Sequence, residues 1–257
     1  MPFIRSVKRY FSARRPLESH FKDQLATGIP FYRYLNKSQK EKLETRMSVL
    51  LGEKIFEGCG GLTVTDEMRG VITAYAGLLI MESPSDYYSD LGAILVYPDN
   101  YVAPVYRMHE GGVVSEGSER RQGESWDSGS IVLSWQDIRK SALNRENGHN
   151  LIIHEFAHQL DDQYGLSSGI TLSGRPVQKD EWTRELAKIY RDVMNADRFG
   201  RSDHLLDLYG ATNPAECFAV TLEAFIESPR NLQRAYGAAY RMLVDFFGFD
   251  PGRIWDF

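Results

Sequence analysis

Cysteine is almost missing from this chain. Its 257 residues contain two, Cys59 and Cys217, too few for a disulfide framework. Both read as reduced core thiols of a cytoplasmic protein. Long hydrophobic runs are missing too: no segment approaches the ~20 apolar residues of a membrane span, so stable membrane insertion is not expected. The basic start (Arg5, Lys8, Arg9, Arg14, Arg15) precedes no continuous apolar region and does not read as a secretory signal. Nor is there an excess of positive charge. The net charge of −5 argues against a nucleic-acid surface. The glycine cluster at 58–61 lacks the following Lys-Ser/Thr of a phosphate-binding loop. The sequence has no internal repeat and no low-complexity tract.

What is present is a hydrophobic content of 42%, enough for a substantial core, and one dense stretch from Leu151 to Asp161. His154-Glu155-Phe156-Ala157-His158 lies inside an apolar-periodic segment with the spacing of a helix. Residues four apart sit one turn above each other, so both imidazoles leave the same face. That geometry suits two nitrogen ligands of one tetrahedral zinc. Glu155 is placed instead to take a proton from a water at the metal's open position. Three fixed identities in five recur by chance, and the competing reading is an amphipathic helix with two solvated histidines. Leu151, Ile152, Ile153, Phe156, Ala157 and Leu160 argue against it, because they predict a largely buried helix whose histidines need partners.

A catalytic zinc site takes three protein ligands. An extended motif with a third histidine is excluded, since Asp161 and Tyr164 occupy its glycine and histidine positions. The other histidines, His20, His109, His149 and His204, have no companion at ligand spacing. The better candidate is Glu216, in the first turn of a helix that Asn213 caps and Pro214 opens. A glutamate three residues after a cap is also the capping-box position, which needs no metal. Glu223, two turns further along, could hydrogen-bond a ligating histidine or be a solvated helix residue. Asp161 could likewise orient a histidine or, with Asp162, terminate the helix. His109 and Glu110 read as a solvated loop pair.

The stretch 154–161 and the segment from Tyr209 to Ala219 resemble the zinc peptidases of the Mlc titration factor A family and, more loosely, the catalytic domain of anthrax lethal factor. The specific resemblance covers roughly residues 80 to 230. It implies a zincin-like fold with a gluzincin-type site: one zinc ion on His154, His158 and Glu216, Glu155 as general base, and Tyr209 turned toward the site. The implied activity is peptidase, of an aminopeptidase-like kind, on a peptide or protein substrate. The namesake's binding of the glucose repressor Mlc implies a transcriptional repressor as a partner. A protein-binding module with weak or vestigial peptidase activity is therefore the alternative function.

The rest of the chain reads as α+β, mostly helical, with a small mixed sheet beside the metal-motif helix. Two regions are expected: an N-terminal helical one over 1–82 that packs on the rest, and a catalytic one over 83–257. Helices are expected from about Ser38 through Leu51, from Asp66 through Ile80, over 179–194 and over 231–247. Strands are expected at 93–97 and 130–135, the second pairing with an extended substrate unless its edge is already taken. Residues 109–129 read as a long surface loop, and 195–208 as exposed. The aromatic end, Phe249 and Trp255 to Phe257, reads as a packed lid or as a partner-contact patch.

Overall fold

The computed structural model describes residues 9–82, 87–99, 101–108, 114–121, 123–126, 129–143, 148–167 and 179–255. It is an α+β structure. Helix α1 (Ser19–Gly28) leads to α2 (Lys37–Glu53), strand β1 (Ile55–Gly58) and α3 (Asp66–Leu79). Five strands follow: β2 (Ala93–Tyr97), β3 (Tyr101–Met108), β4 (Val114–Arg121), β5 (Gly123–Trp126) and β6 (Ser130–Ser134). The remainder is helical: α4 (Trp135–Ser141), α5 (Leu151–Tyr164), α6 (Lys179–Arg198), α7 (Pro214–Glu227), α8 (Pro229–Ala235), α9 (Gly237–Phe247) and α10 (Pro251–Ile254).

Local chemistry accounts for the helix starts. Thr65 caps α3 on the N–H of Met68, and Asn150 caps α5 on the N–H of Ile153. Helix α2 starts earlier than the expected Ser38. Asn36 is its cap and closes a capping box with Gln39, so the reciprocal pair defines the boundary. Helix α3 is buried on every side from Gly70 to Leu79, as its all-round apolar sequence requires.

The main sheet has the order β1-β2-β6-β5. Strands β1, β2 and β6 are parallel, and β5 runs antiparallel to β6 along Gly123↔Leu133 to Trp126↔Ser130. One open alternative closes here, one expectation is corrected and one strand is new. Strand β6 is interior, hydrogen-bonded on both sides, so no substrate can add to it; the sheet edge passes to β5. Much of 109–129 is not loop, because β3 and β4 form a separate two-stranded ribbon and β5 joins the main sheet. A ribbon outside the main sheet imposes no apolar alternation on its sequence, which hid it; Gly111–Gly112 between its strands was the only cue. Strand β1 went unseen because four residues, mostly exposed at the other edge, carry no readable period. His109 and Glu110 lie outside the described residues.

Nearly all buried apolar residues among those described form one cluster that reaches from Leu17 to Trp255 and takes in α3, α5 and α7. The C-terminal part departs from expectation at three places. Helix α6 runs on to Arg198, and Leu206 beyond it is buried rather than exposed. The helix expected over 231–247 is broken at Tyr236, whose backbone leaves the helical region (φ −134°, ψ 55°) while its hydroxyl donates to Asp192. Phe249 and Trp255 are buried, and Trp255 donates from its indole N–H to the Ile226 carbonyl. Of the packed and contact-patch alternatives, these two residues take the packed one; Asp256 and Phe257 lie outside the described residues. Among the described residues, no helix is long and apolar enough to cross a membrane.

Candidate metal centre

Helices α5 and α7 pack against each other and carry the site between them. The apolar face of α5 (Ile152, Ile153, Phe156, Ala157, Leu160) is buried, with Tyr88 edge-on to Phe156 at 4.7 Å between ring centroids. This fixes the helix roll, so His154 and His158 project together from the opposite side. The α5 C-terminus turns at Gly165, in the left-handed region at φ 62°. Asp161 serves that turn: its carboxylate accepts the N–H of Ser167 at 2.6 Å, so it closes the helix end rather than orienting a histidine.

Glu216 resolves its two readings by direction. Its backbone N–H donates to the cap Asn213 at 2.9 Å, but its carboxylate turns toward the histidines. Glu216 Oε2 lies 3.0 Å from His154 Nε2 and 3.4 Å from His158 Nε2, and the two Nε2 atoms are 3.3 Å apart. Tetrahedral ligands about 2.05 Å from a zinc ion would stand about 3.3 Å from one another. The three side chains, each mostly buried, therefore already stand at the mutual spacing of a metal's ligands.

The electrostatics agree with a cation at this point. Burial alone would raise the Glu216 carboxyl, but hydrogen bonds with His154 and His158 outweigh it and hold the group at about 2. Glu223 is held at about 2 in the same way, its burial overcome by His149, His154 and the Asn150 N–H. Burial would lower His154, yet Glu216 and Glu223 raise it well above the ordinary imidazole value. Two ionised carboxylates thus favour positive charge at Nε2, where a proton and a metal compete.

Glu223 Oε1 meets His154 Nδ1 at 2.8 Å, leaving Nε2 toward the Glu216–His158 side. Glu155, one residue along, is 3% exposed. Desolvation pushes its carboxyl to about 7, with the neighbouring histidines opposing and Glu216 and Glu223 assisting. Its buried Oε2 has no hydrogen-bond partner among the described residues. Tyr209 sits on a short 3-10 turn, Leu208–Ala211, that Asp207 caps through the Tyr209 N–H at 2.7 Å. The Tyr209 ring is 56% exposed and 6.2 Å from the His154 ring, centroid to centroid.

The sequence comparisons give the chain a family. The model of the glucose-regulated metallo-peptidase family M90 matches residues 4–248. The chain belongs to the M90 metallo-peptidase family. An uncharacterized protein of Synechocystis sp. (slr2042) is 38% identical over 239 residues, covering 93% of this chain and 86% of the relative. Mlc titration factor A of Yersinia pestis (strain Pestoides F) is 33% identical over 229 residues, covering 88% and 83%. Its counterpart in Yersinia pseudotuberculosis (strain YPIII) gives the same values.

In this M90 chain the Tyr209 turn is seated by a close approach that only glycine permits. A β-carbon at Gly210 would lie 2.7 Å from Val220 Cγ2 and 3.3 Å from the Cys217 Cα, both on α7. The turn is thereby held against the helix that carries Glu216. Cys217 itself is buried in the core, which raises its thiol to about 11. Two members of the polar surroundings escaped the sequence reading. His149 lies 3.6 Å from Glu223 and 3.3 Å from Asp207, and no local pattern could announce contacts spanning tens of residues.

Proposed function

We propose that this chain is a zinc-dependent peptidase with a zincin-like fold, in which His154, His158 and Glu216 hold the metal and Glu155 is the general base. The observation that carries the reading is the mutual spacing of those three ligand atoms beside the buried Glu155, whose Oε2 has no hydrogen-bond partner among the described residues. Bound there, zinc would supply Lewis acidity, lowering the pKa of a water and polarising a carbonyl. Three protein ligands would leave a position open, as a catalytic rather than a structural site requires.

The chain's own groups supply the remainder. Glu155, with its carboxyl raised to about 7 by burial, is poised to accept a proton near neutrality and return it to the leaving amine. Glu223 holds the His154 ring by Nδ1 so that Nε2 keeps its aim. Tyr209 donates a hydrogen bond to the oxyanion as it develops. Strand β5, at the sheet edge and in contact with α5, is where an extended peptide would add its main-chain hydrogen bonds.

The test is hydrolysis of an unstructured peptide by the zinc-loaded protein, with activity abolished by a chelator and restored by zinc. Tyr209→Phe should lower kcat by roughly one to two orders of magnitude, toward the low end for an oxyanion donor. An unchanged kcat would return Tyr209 to an ordinary surface aromatic. The name of the Yersinia relatives, Mlc titration factor A, favours a second role, binding of an Mlc-like transcriptional repressor. Co-elution of the two purified proteins on gel filtration tests that role, and separate elution rules it out.

A further inference from the structure

We infer that His149 is a positioning residue, bridging the carboxylate that orients His154 to the carboxylate that seats Tyr209. The inference rests on the metal reading above and extends it beyond the ligands and their direct partners.

Two carboxylates near the site divide their oxygens in the same manner. Glu223 gives Oε1 to His154 Nδ1 at 2.8 Å. Its Oε2 accepts the Asn150 N–H at 2.7 Å and faces His149 Nδ1 at 3.6 Å. Asp207 gives Oδ1 to the Tyr209 N–H at 2.7 Å, while its Oδ2 faces His149 Nε2 at 3.3 Å. One imidazole, with both ring nitrogens engaged, thus closes a continuous path from a metal ligand to the turn carrying Tyr209.

The path also joins three separate parts of the chain. His149 directly precedes Asn150, the cap of α5; Glu223 belongs to α7; Asp207 caps the 3-10 turn. The side chain of Asn150 adds a second tie to α7 by donating to Glu227 at 2.7 Å. Any slide of the Tyr209 turn relative to α5 must stretch the His149 contacts or drag Glu223 with them. The environment favours the protonated bridge. The Glu223 carboxylate beside it raises the His149 imidazole, burial opposes, and the charge of Asp207 adds to the rise.

A bland alternative exists, since His149 and Asp207 are 47% and 38% exposed and exposed ion pairs contribute little to stability. That weakness makes the inference separable from a structural role. Removing the bridge should leave the melting temperature of the metal-stripped protein unchanged while altering the metal site.

The experiment compares the parent with His149→Ala, Asp207→Asn and the double variant, all as full-length protein. Zinc affinity is measured by chelator competition, and the visible spectrum is recorded after cobalt(II) loading. Asp207→Asn retains an oxygen for the Tyr209 N–H and removes only the charged link. Each single variant should weaken zinc binding by roughly three- to tenfold, below the ~10–100-fold cost of losing a direct partner of a ligand. Each should shift the cobalt bands, and kcat on a peptide should fall with KM retained. The double variant should cost no more than either single one, because both break the same link. Parent-like affinity and spectra in both single variants, or additive losses in the double, would overturn the inference. The parent control separates the two readings: a parent that binds no zinc sinks the metal site itself and the bridge with it.

Discussion

Glutamine in place of Glu155 should abolish turnover and leave zinc in place. The substitution keeps the shape of a side chain that is 3% exposed and removes its capacity to accept a proton. General-base catalysis contributes about 10²–10⁴ in rate, and a loss of that size is expected in kcat. Zinc should stay near the parental stoichiometry, because His154, His158 and Glu216 are untouched. Full activity in Glu155→Gln would remove the general-base role.

The same variant should be more stable than the parent once both are stripped of metal. Burial places the folded Glu155 carboxyl at about 7, above its ordinary value of 4.5. A carboxyl raised on folding supports stability below its unfolded pKa, and that support is lost as pH rises through the folded value. The parent therefore loses stability between about pH 4.5 and 7, by up to ~3 kcal/mol at 1.36 kcal/mol per unit. Glutamine removes this dependence. Urea denaturation of both metal-stripped proteins at pH 5 and pH 8 should show the gap opening at the higher pH; a gap equal at both would assign Glu155 an ordinary ionised environment. Such a buried, unsatisfied carboxylate is costly to the fold and useful to a general base.

Alanine in place of Glu216 should cost the protein its metal. Two histidines one helical turn apart would remain, and the loss in zinc affinity should exceed the ~10–100-fold that removing a ligand's hydrogen-bond partner costs. The helix start should survive, because Asn213 caps the Glu216 backbone N–H and that contact does not use the carboxylate. The variant should therefore remain folded and lack zinc. A purely capping glutamate predicts the reverse: zinc retained and stability lower by about 1 kcal/mol. Elemental analysis beside a thermal melt separates the two outcomes.

The centre of this site was legible in the sequence because its determinants are local. The histidine spacing, the apolar face of α5 and the Asn213-Pro214 start of α7 each reside within one helical segment. Glu223 was reachable by periodicity from Glu216, and the structure sets it on His154 Nδ1 at 2.8 Å. Sheet organisation was less legible. Whether the strand at 130–135 is a free edge stayed open in the sequence, and β5, a strand with no apolar run, decides it by pairing there. The ribbon of β3 and β4 escaped for a related reason, since strands that pair only with each other need no buried face. Asp161 illustrates the ambiguity of a polar residue at a helix end: its spacing fitted a histidine partner, and its carboxylate instead takes the Ser167 N–H. His149 and Asp207 were out of reach altogether. The contacts of His149 with Asp207 and Glu223 join residues far apart in sequence, and such pairing is set by how helices dock.

The proposed zinc site is tested most directly by anomalous scattering at the zinc edge in crystals of the zinc-loaded protein. The proposed ligand set predicts one peak per chain, roughly 2.0–2.2 Å from His154 Nε2, His158 Nε2 and a Glu216 carboxylate oxygen, with Glu155 beside it and unbound. A peak elsewhere, or a shell closed by a fourth protein ligand, would contradict it.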